Sequence, residues 1–292
     1  MPAAVAALRL FILTIALPLI VIVMLWRRSR APLAGWLATL LLASGIVGFS
    51  VLVAPWGTFG LPVRYLLIAL FVAAVVRSLR RAPAEEAKPE SPLRPLVKVL
   101  MGVFFGGVAI GVLRGHQVPP GAIELAFPLR DGAYIVGHGG STSAANMHHY
   151  DRAQKYAVDL MKVNAAGMRA RGLFPADNTR YLIFGAPVLS PCEGTVRVAV
   201  DGLPDTRDEK ALLGNHVIVR CSDADVVLAH LQRGSVAVRP GATLRKGQPL
   251  ARIGNSGNTT EPHLHLHVER NGAGVPARYD GEWLVRNEVV RR

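Results

Sequence analysis

Apolar and polar positions follow two regimes along this chain. Up to about residue 113 the apolar positions form long runs, at 5–26, 33–53, 61–79 and 97–113. A bilayer core of about 30 Å needs about 17–25 apolar residues in a helix. The first two runs meet that length directly. The third needs Tyr65 and its flanks, and the fourth is short and glycine-rich (Gly102, Gly106, Gly107, Gly111). Gly102 and Gly106 form a G-x-x-x-G, a spacing that lets two helices approach closely. The first run is too long for a cleaved leader, lacks a basic start, and has no small-residue cleavage site before Arg27. The pattern predicts four transmembrane helices within a membrane region, residues 1–118.

From residue 119 to 292 the apolar runs are short, at 188–200, 215–220, 226–231, 236–238, 249–253 and 263–269. Glycine, proline and Asn/Asp turns separate them. No long helical period appears, and the charged stretch 201–214 reads as a solvent loop. The fold class expected is therefore a multi-span α-helical membrane region followed by a mostly antiparallel β-sheet domain. Its most informative strand is Pro262-His263-Leu264-His265-Leu266-His267-Val268. Side chains at i and i+2 share one face of a strand. One face thus offers three imidazoles and the other three apolar residues. A surface strand would show the same alternation. Two features favour a site: the glycine-rich turn Gly254-Asn255-Ser256-Gly257-Asn258 just before it, and another histidine in Leu228-Ala229-His230-Leu231.

Charge adds a topology. Residues 1–120 hold 12 Lys/Arg against 3 Asp/Glu, and the rest hold 21 against 17, completing totals of 33 and 20. Most of the net +13 therefore flanks the apolar runs. No basic stripe interleaved with aromatics is present, which argues against a nucleic-acid partner. Arg27, Arg28 and Arg30 separate the first two runs. Arg77, Arg80, Arg81, Lys88, Arg94 and Lys98 separate the last two, while only Arg9, Arg64 and Arg114 lie towards the other side. Cytoplasmic loops carry the excess of Lys and Arg. This predicts a multi-pass protein of the cytoplasmic (inner) membrane whose C-terminal domain is extracytoplasmic. The proline-rich stretch 81–95 reads as a flexible cytoplasmic loop. No acid or histidine lies mid-membrane, so a pump or transporter has no evident relay. Cys192 and Cys221 both fall in the outer domain. They are either a disulfide, as an oxidising compartment favours, or two small buried apolar residues.

The order of motifs in the outer domain resembles the lysostaphin/LytM-type zinc metallopeptidases of bacterial cell walls. The resemblance rests on Ala157-Val158-Asp159-Leu160, Pro187-Val188, Gly194-Thr195-Val196, Gly214-Asn215-His216-Val217, Leu228-Ala229-His230-Leu231, Gly241 with Lys246-Gly247-Gln248, and Gly254-Asn255-Ser256-Gly257 leading into Pro262-His263-Leu264-His265. It covers about residues 130–275. It implies a β-sheet groove fold, a Zn2+ cofactor, and hydrolysis of peptide bonds in peptidoglycan. By the resemblance, Asp159 and His265 are metal ligands, and His230 and His263 act on water and oxyanion. Catalytic zinc takes three protein ligands and leaves a position open. A nearby imidazole can then act as general base. The chain has no H-E-x-x-H, so the helix-borne zinc scheme is excluded.

One expected ligand is displaced. The usual H-x-x-x-D would place histidine four residues before Asp159, where Lys155 stands. Asn146-x-His148 followed by Gln154-Lys155-x-Ala157-x-Asp159 resembles a variant branch of the family, and implies His148 as the third ligand. His149 and His138 are the fallback candidates, and surface histidines beside an incomplete site are the alternative. His267 is expected to flank the site, and Asn215 to hold a sheet turn. The reading is a membrane-anchored zinc endopeptidase whose partners are a peptidoglycan peptide and the lipid bilayer. The competing reading is a degenerate domain that binds wall peptides or regulates another hydrolase. A third, a sensor or transport element with a receptor domain, has little polar intramembrane sequence to support it.

Overall fold

Long apolar runs become helices because a helix closes its backbone hydrogen bonds within itself, which a hydrocarbon surrounding requires. The computed structural model describes residues 3–30, 32–82, 91 and 93–292. They fall into two compact units, Met1–Leu113 and Arg114–Arg292.

Four described helices are long and apolar enough to cross a membrane: Ala7–Arg27, Leu33–Val53, Leu61–Arg80 and Leu93–Arg114. The first widens into a π-turn at Ile12–Ala16, just ahead of Pro18, which has no N–H to donate. The fourth starts ahead of its apolar run, since Pro95 falls in the first turn, where a missing N–H is tolerated. A short helical turn, Trp56–Phe59, links the second and third. Gly102 packs against the second helix; a Cβ there would lie 2.8 Å from the Leu41 backbone. Buried polar groups are paired across helices, with Trp36 Nε1 donating to Ser78 Oγ at 3.1 Å and Ser50 Oγ to the Thr14 carbonyl at 2.8 Å. Most of the predicted loop at 81–95 lies outside the described residues.

The second unit is built on a nine-stranded sheet. Its strands in chain order are β1 (Ala133–His138), β2 (Val158–Val163), β3 (Gly194–Val200), β4 (Asn215–Cys221), β5 (Ala224–Leu231), β6 (Thr243–Leu244), β7 (Leu264–Arg270) and β8 (Val289–Arg291). Their order across the sheet is β8-β1-β2-β7-β5-β4-β3-β6, with Ala273–Gly274 paired on β7. All these pairings are antiparallel. Two small pairs flank the sheet: Pro187–Leu189 with Pro249–Arg252, and the parallel pair Ile123–Leu125 with Ala277–Tyr279.

Two expected strands change. The run 188–200 breaks in two because Pro191 cannot donate to a ladder, and its halves join different sheets. Residues 236–238 form no strand. They make one backbone bond, from Ala237 N to the Leu250 carbonyl at 2.9 Å, before the turn at Pro240 and Gly241. The structure adds strands at Ile123–Leu125, β1, β2, β6, Ala273–Gly274, Ala277–Tyr279 and β8.

Leu264, Leu266 and Val268 of β7 pack into the apolar core with Val217, Val219, Val226 and Leu228. The opposite face of β7 is covered as well, since His265 and His267 are only 2% and 4% exposed. Cys192 and Cys221 form a disulfide with Cα atoms 6.0 Å apart, tying the turn before β3 to the end of β4.

Candidate metal centre

Strand pairing brings the first two residues together. Asp159 on β2 is the cross-strand partner of His265 on the central strand β7. Such partners share a face, with Cβ atoms about 4.5–5.5 Å apart. Asp159 Oδ1 lies 2.9 Å from His265 Nδ1, and Oδ2 lies 2.9 Å from His148 Nε2. Donor atoms of His148, Asp159 and His265 all lie within 4.8 Å of one another.

His148 reaches this point from the 3-10 turn Met147–Tyr150. Asn146, fully buried, anchors that turn. Its Oδ1 accepts from His148 N at 3.1 Å and its Nδ2 donates to the Ala157 carbonyl at 2.9 Å. One side chain thus ties the turn bearing His148 to the start of the strand bearing Asp159. The sequence shows Asn146 as part of a motif without revealing this clamp.

The other two histidines are aimed by backbone carbonyls. His230 Nδ1 is 2.9 Å from the Ser256 carbonyl, and His263 Nδ1 is 2.9 Å from the Glu261 carbonyl. A carbonyl only accepts, so each Nδ1 carries a proton, and in the neutral form of either ring the lone pair lies on Nε2. The rings of His230 and His263 are 4.7 Å apart, and that of His230 is 5.7 Å from His265. His263 Nε2 lies 3.7 Å from Asp159 Oδ1. His230 adopts φ +62°, a left-handed backbone rarely used outside glycine. There its N–H bonds the Leu213 carbonyl, and its own carbonyl accepts from Gly254 N. Such backbone clusters at functional sites, where surrounding contacts enforce it. Ser256 holds this corner together, because its Oγ accepts from Asn215 N and donates to the Leu231 carbonyl. Gly214 lies so close to Ser256 that any Cβ there would collide with it. The Asn215 side chain bonds both backbone groups of Leu203 and the Leu231 carbonyl, fastening a turn beside the site.

The electrostatics suit a cation. Burial would raise the Asp159 carboxyl, but the charges of His148 and His263 and bonds from His148 and His265 hold it well below the usual carboxylate range. Burial lowers His265. Burial, then His263 and His265, push His230 far down. Burial would also lower His148, yet the charge and hydrogen bond of Asp159 outweigh it and raise this imidazole. The donor set fits zinc: two imidazole nitrogens and one carboxylate, the number a catalytic site takes. His267 Nδ1 lies 3.0 Å from His265 Nε2, an outer contact that fixes the His265 ring.

The two fallback candidates fall outside the three-donor cluster. Arg286 Nη1 donates to His138 Nδ1 at 2.9 Å and Met147 N donates to the same atom at 3.5 Å. That places the His138 proton on Nε2. Both nitrogens are thereby committed, although β1 sets this residue opposite Asp159. His149 stacks edge-on with Tyr150, and its Nδ1 is buried without a hydrogen-bond partner. Arg286, near the end of the chain, carries no sequence signal that would have linked it to the site.

Residues 182–276 match the model of peptidase family M23. The match contains His230, His263 and His265 and begins after Asp159. Among curated proteins, an uncharacterized metalloprotease of Haemophilus influenzae is 34% identical over 31% of this chain and 18% of its own length. The peptidoglycan DD-endopeptidase ShyC of Vibrio cholerae is 28% identical over 43% of this chain and 30% of its own. The DD-carboxypeptidase/endopeptidase Mpg of Neisseria meningitidis is 30% identical over 35% and 24%. The chain thus spans less than a third of the length of each of these relatives. Among solved structures, lysostaphin from Staphylococcus simulans matches 47% of this chain and 43% of its own at 21% identity and a TM-score of 0.31.

Proposed function

With an M23 peptidase domain at residues 182–276 as the premise, we propose that this chain is a membrane-anchored zinc endopeptidase that hydrolyses peptide bonds in peptidoglycan. The observation that carries the reading is the convergence of three metal donors beside two imidazoles with free Nε2 lone pairs. His148, Asp159 and His265 would hold zinc, which when bound polarises a scissile carbonyl and acidifies water. His230 and His263 present lone pairs suited to accept a proton from the attacking water. The ring that takes the proton becomes an N–H donor at Nε2. It can then bond the developing oxyanion or return the proton to the leaving amine. Asp159, His230 and His265 are buried, while His148 and His263 are partly exposed and leave the centre reachable.

Peptidoglycan is named for one of these curated relatives, ShyC, and is the substrate class implied by the family resemblance; the active domain would meet it outside the cytoplasm. The four apolar helices support anchoring. Leu100, Val103 and Phe104 stay about three-fifths exposed (60%, 59% and 66%), as a lipid-facing surface would. The basic segments between helices favour a cytoplasmic side for both, with the C-terminal domain outside the inner membrane. A degenerate binding domain would lack a third donor, and the placement of His148 counts against it.

The test is digestion of isolated peptidoglycan by the purified full chain in detergent, with products resolved by mass. New peptide termini, formed with uptake of one water per cut and absent with Asp159→Asn, are the result expected. Intact peptidoglycan that still adsorbs the protein would replace this reading with the binding one.

A further inference from the structure

Position 155, where the first histidine of H-x-x-x-D would stand, does not serve the metal centre. Lys155 instead lines a cavity of about 430 Å³ with His149, Tyr150, Arg152, Tyr156 and Gly274. The cavity begins one residue from His148, whose Nε2 is 2.9 Å from Asp159. His149 shares the 3-10 turn of His148, and Gly274 pairs with Glu269 on the strand that carries His265, so the cavity and the metal centre are built on the same turn and strand.

The walls are built by close packing. Gly274 N donates to the Arg152 carbonyl at 2.8 Å. A Cβ at Gly274 would lie 2.9 Å from the Ala153 carbonyl and 3.2 Å from Lys155, so glycine lets the strand meet the 152–155 turn. Asp151, the one acid on the rim, uses Oδ1 to accept from Ala153 N and Gln154 N. Among the described residues neither Arg152 nor Lys155 pairs with a carboxylate. The Lys155 ammonium lies 5.5 Å from the Tyr156 ring centroid. Tyr150 is 84% exposed, an aromatic ring left in water at the rim. Two cations against the single carboxylate of Asp151, with two tyrosines around the hollow, match the chemistry of an anionic peptide, since a guanidinium and an ammonium both bind carboxylate and tyrosine supplies amphipathic contact.

We propose that this cavity is a subsite for a carboxylate of the substrate peptide, bound by Arg152 and Lys155 while the scissile bond lies at the metal centre. The inference rests on the endopeptidase reading and deepens it. The carboxylate is either the terminal one or a side-chain one, and amidation at each position separates the two.

The experiment uses the zinc-loaded full chain and synthetic cross-linked stem peptides, free or amidated at either carboxyl. The free peptide should be cleaved about tenfold faster in kcat/KM than the peptide amidated at the recognised carboxyl, as one lost charge-assisted contact implies. Arg152→Gln with Lys155→Gln should bring that ratio near one without lowering zinc content. Arg152→Lys with Lys155→Arg should retain it. A parent ratio near one for both amidated peptides, or a double glutamine variant that keeps the ratio, overturns the subsite. Peptide binding to the full chain held in chelator reads the subsite without turnover. Carboxylate-selective binding with no cleavage would sustain the subsite while removing the endopeptidase reading. Cleavage without discrimination would do the reverse.

Discussion

Asn146→Ala isolates the clamp that presents His148. The substitution removes an acceptor for His148 N and a donor to the buried Ala157 carbonyl, at 3.1 and 2.9 Å. It also removes longer contacts to the Gly140 and Lys155 carbonyls, both at 3.4 Å. Stranding a buried polar group costs about 1–3 kcal/mol, so the pair should cost about 2–4 kcal/mol once the turn relaxes. For a unit of this size each kcal/mol moves Tm by about 2–4 °C, which predicts a fall of roughly 5–15 °C. The turn that carries His148 would lose its tether, and zinc affinity should drop about 10–100-fold, as for other residues that orient a ligand. Asn146→Asp is the informative companion. It keeps an acceptor for His148 N but sets a second oxygen against the Ala157 carbonyl, so it should destabilise at least as much as alanine. The assays are thermal unfolding of the zinc-loaded chain and zinc competition with a chelating dye. Parent-like Tm and zinc affinity in Asn146→Ala would refute the clamp.

Other consequences follow from the same geometry. His148→Ala and His265→Ala should both deplete bound zinc, whereas His230→Ala and His263→Ala should retain it and lose about 10²–10⁴-fold in turnover. His149→Ala should cost less zinc than His148→Ala, and metal analysis of the purified variants separates these outcomes. The disulfide closes a sequence separation of 29 residues. Its removal by Cys192→Ala with Cys221→Ala should cost roughly 3–4 kcal/mol in the chain-entropy estimate, read by denaturant unfolding. Alkylation of the denatured, unreduced protein should label neither cysteine. A reporter active only outside the cytoplasm should work when fused near Pro120 and stay silent near Pro89; the opposite pattern would remove the enzyme from its substrate.

Much of the candidate centre was legible because β7 alternates one residue at a time. His265 and His267 lie opposite Leu264 and Leu266, as period two dictates, and the apolar partners identify the face that meets the core. The four helices were legible from run length, and the helix Leu33–Val53 spans its run end to end. Arg80 and Pro95 fall in helices just beyond the apolar runs, because helix termini accept such residues. His230 could be found by its motif. Its left-handed backbone, which depends on contacts from Leu213, Gly254 and Ser256, could not. The fate of position 155 was also hidden: lysine excludes itself as a ligand by charge, but only the fold shows the cavity it lines. The resemblance and the short chain from residue 148 to Asp159 both favour His148, with His138 as a fallback. What the sequence does not show is the pair of donors, from Arg286 and Met147, at His138 Nδ1.

The most direct measurement is zinc stoichiometry taken together with hydrolysis of peptidoglycan by the same purified full-length preparation. The account predicts about one zinc per chain, cleavage that disappears on chelation and returns with added zinc, and neither zinc nor cleavage in His148→Ala. A preparation that cleaves equally well after its metal is removed, or a His148→Ala variant with full zinc and full cleavage, would contradict it.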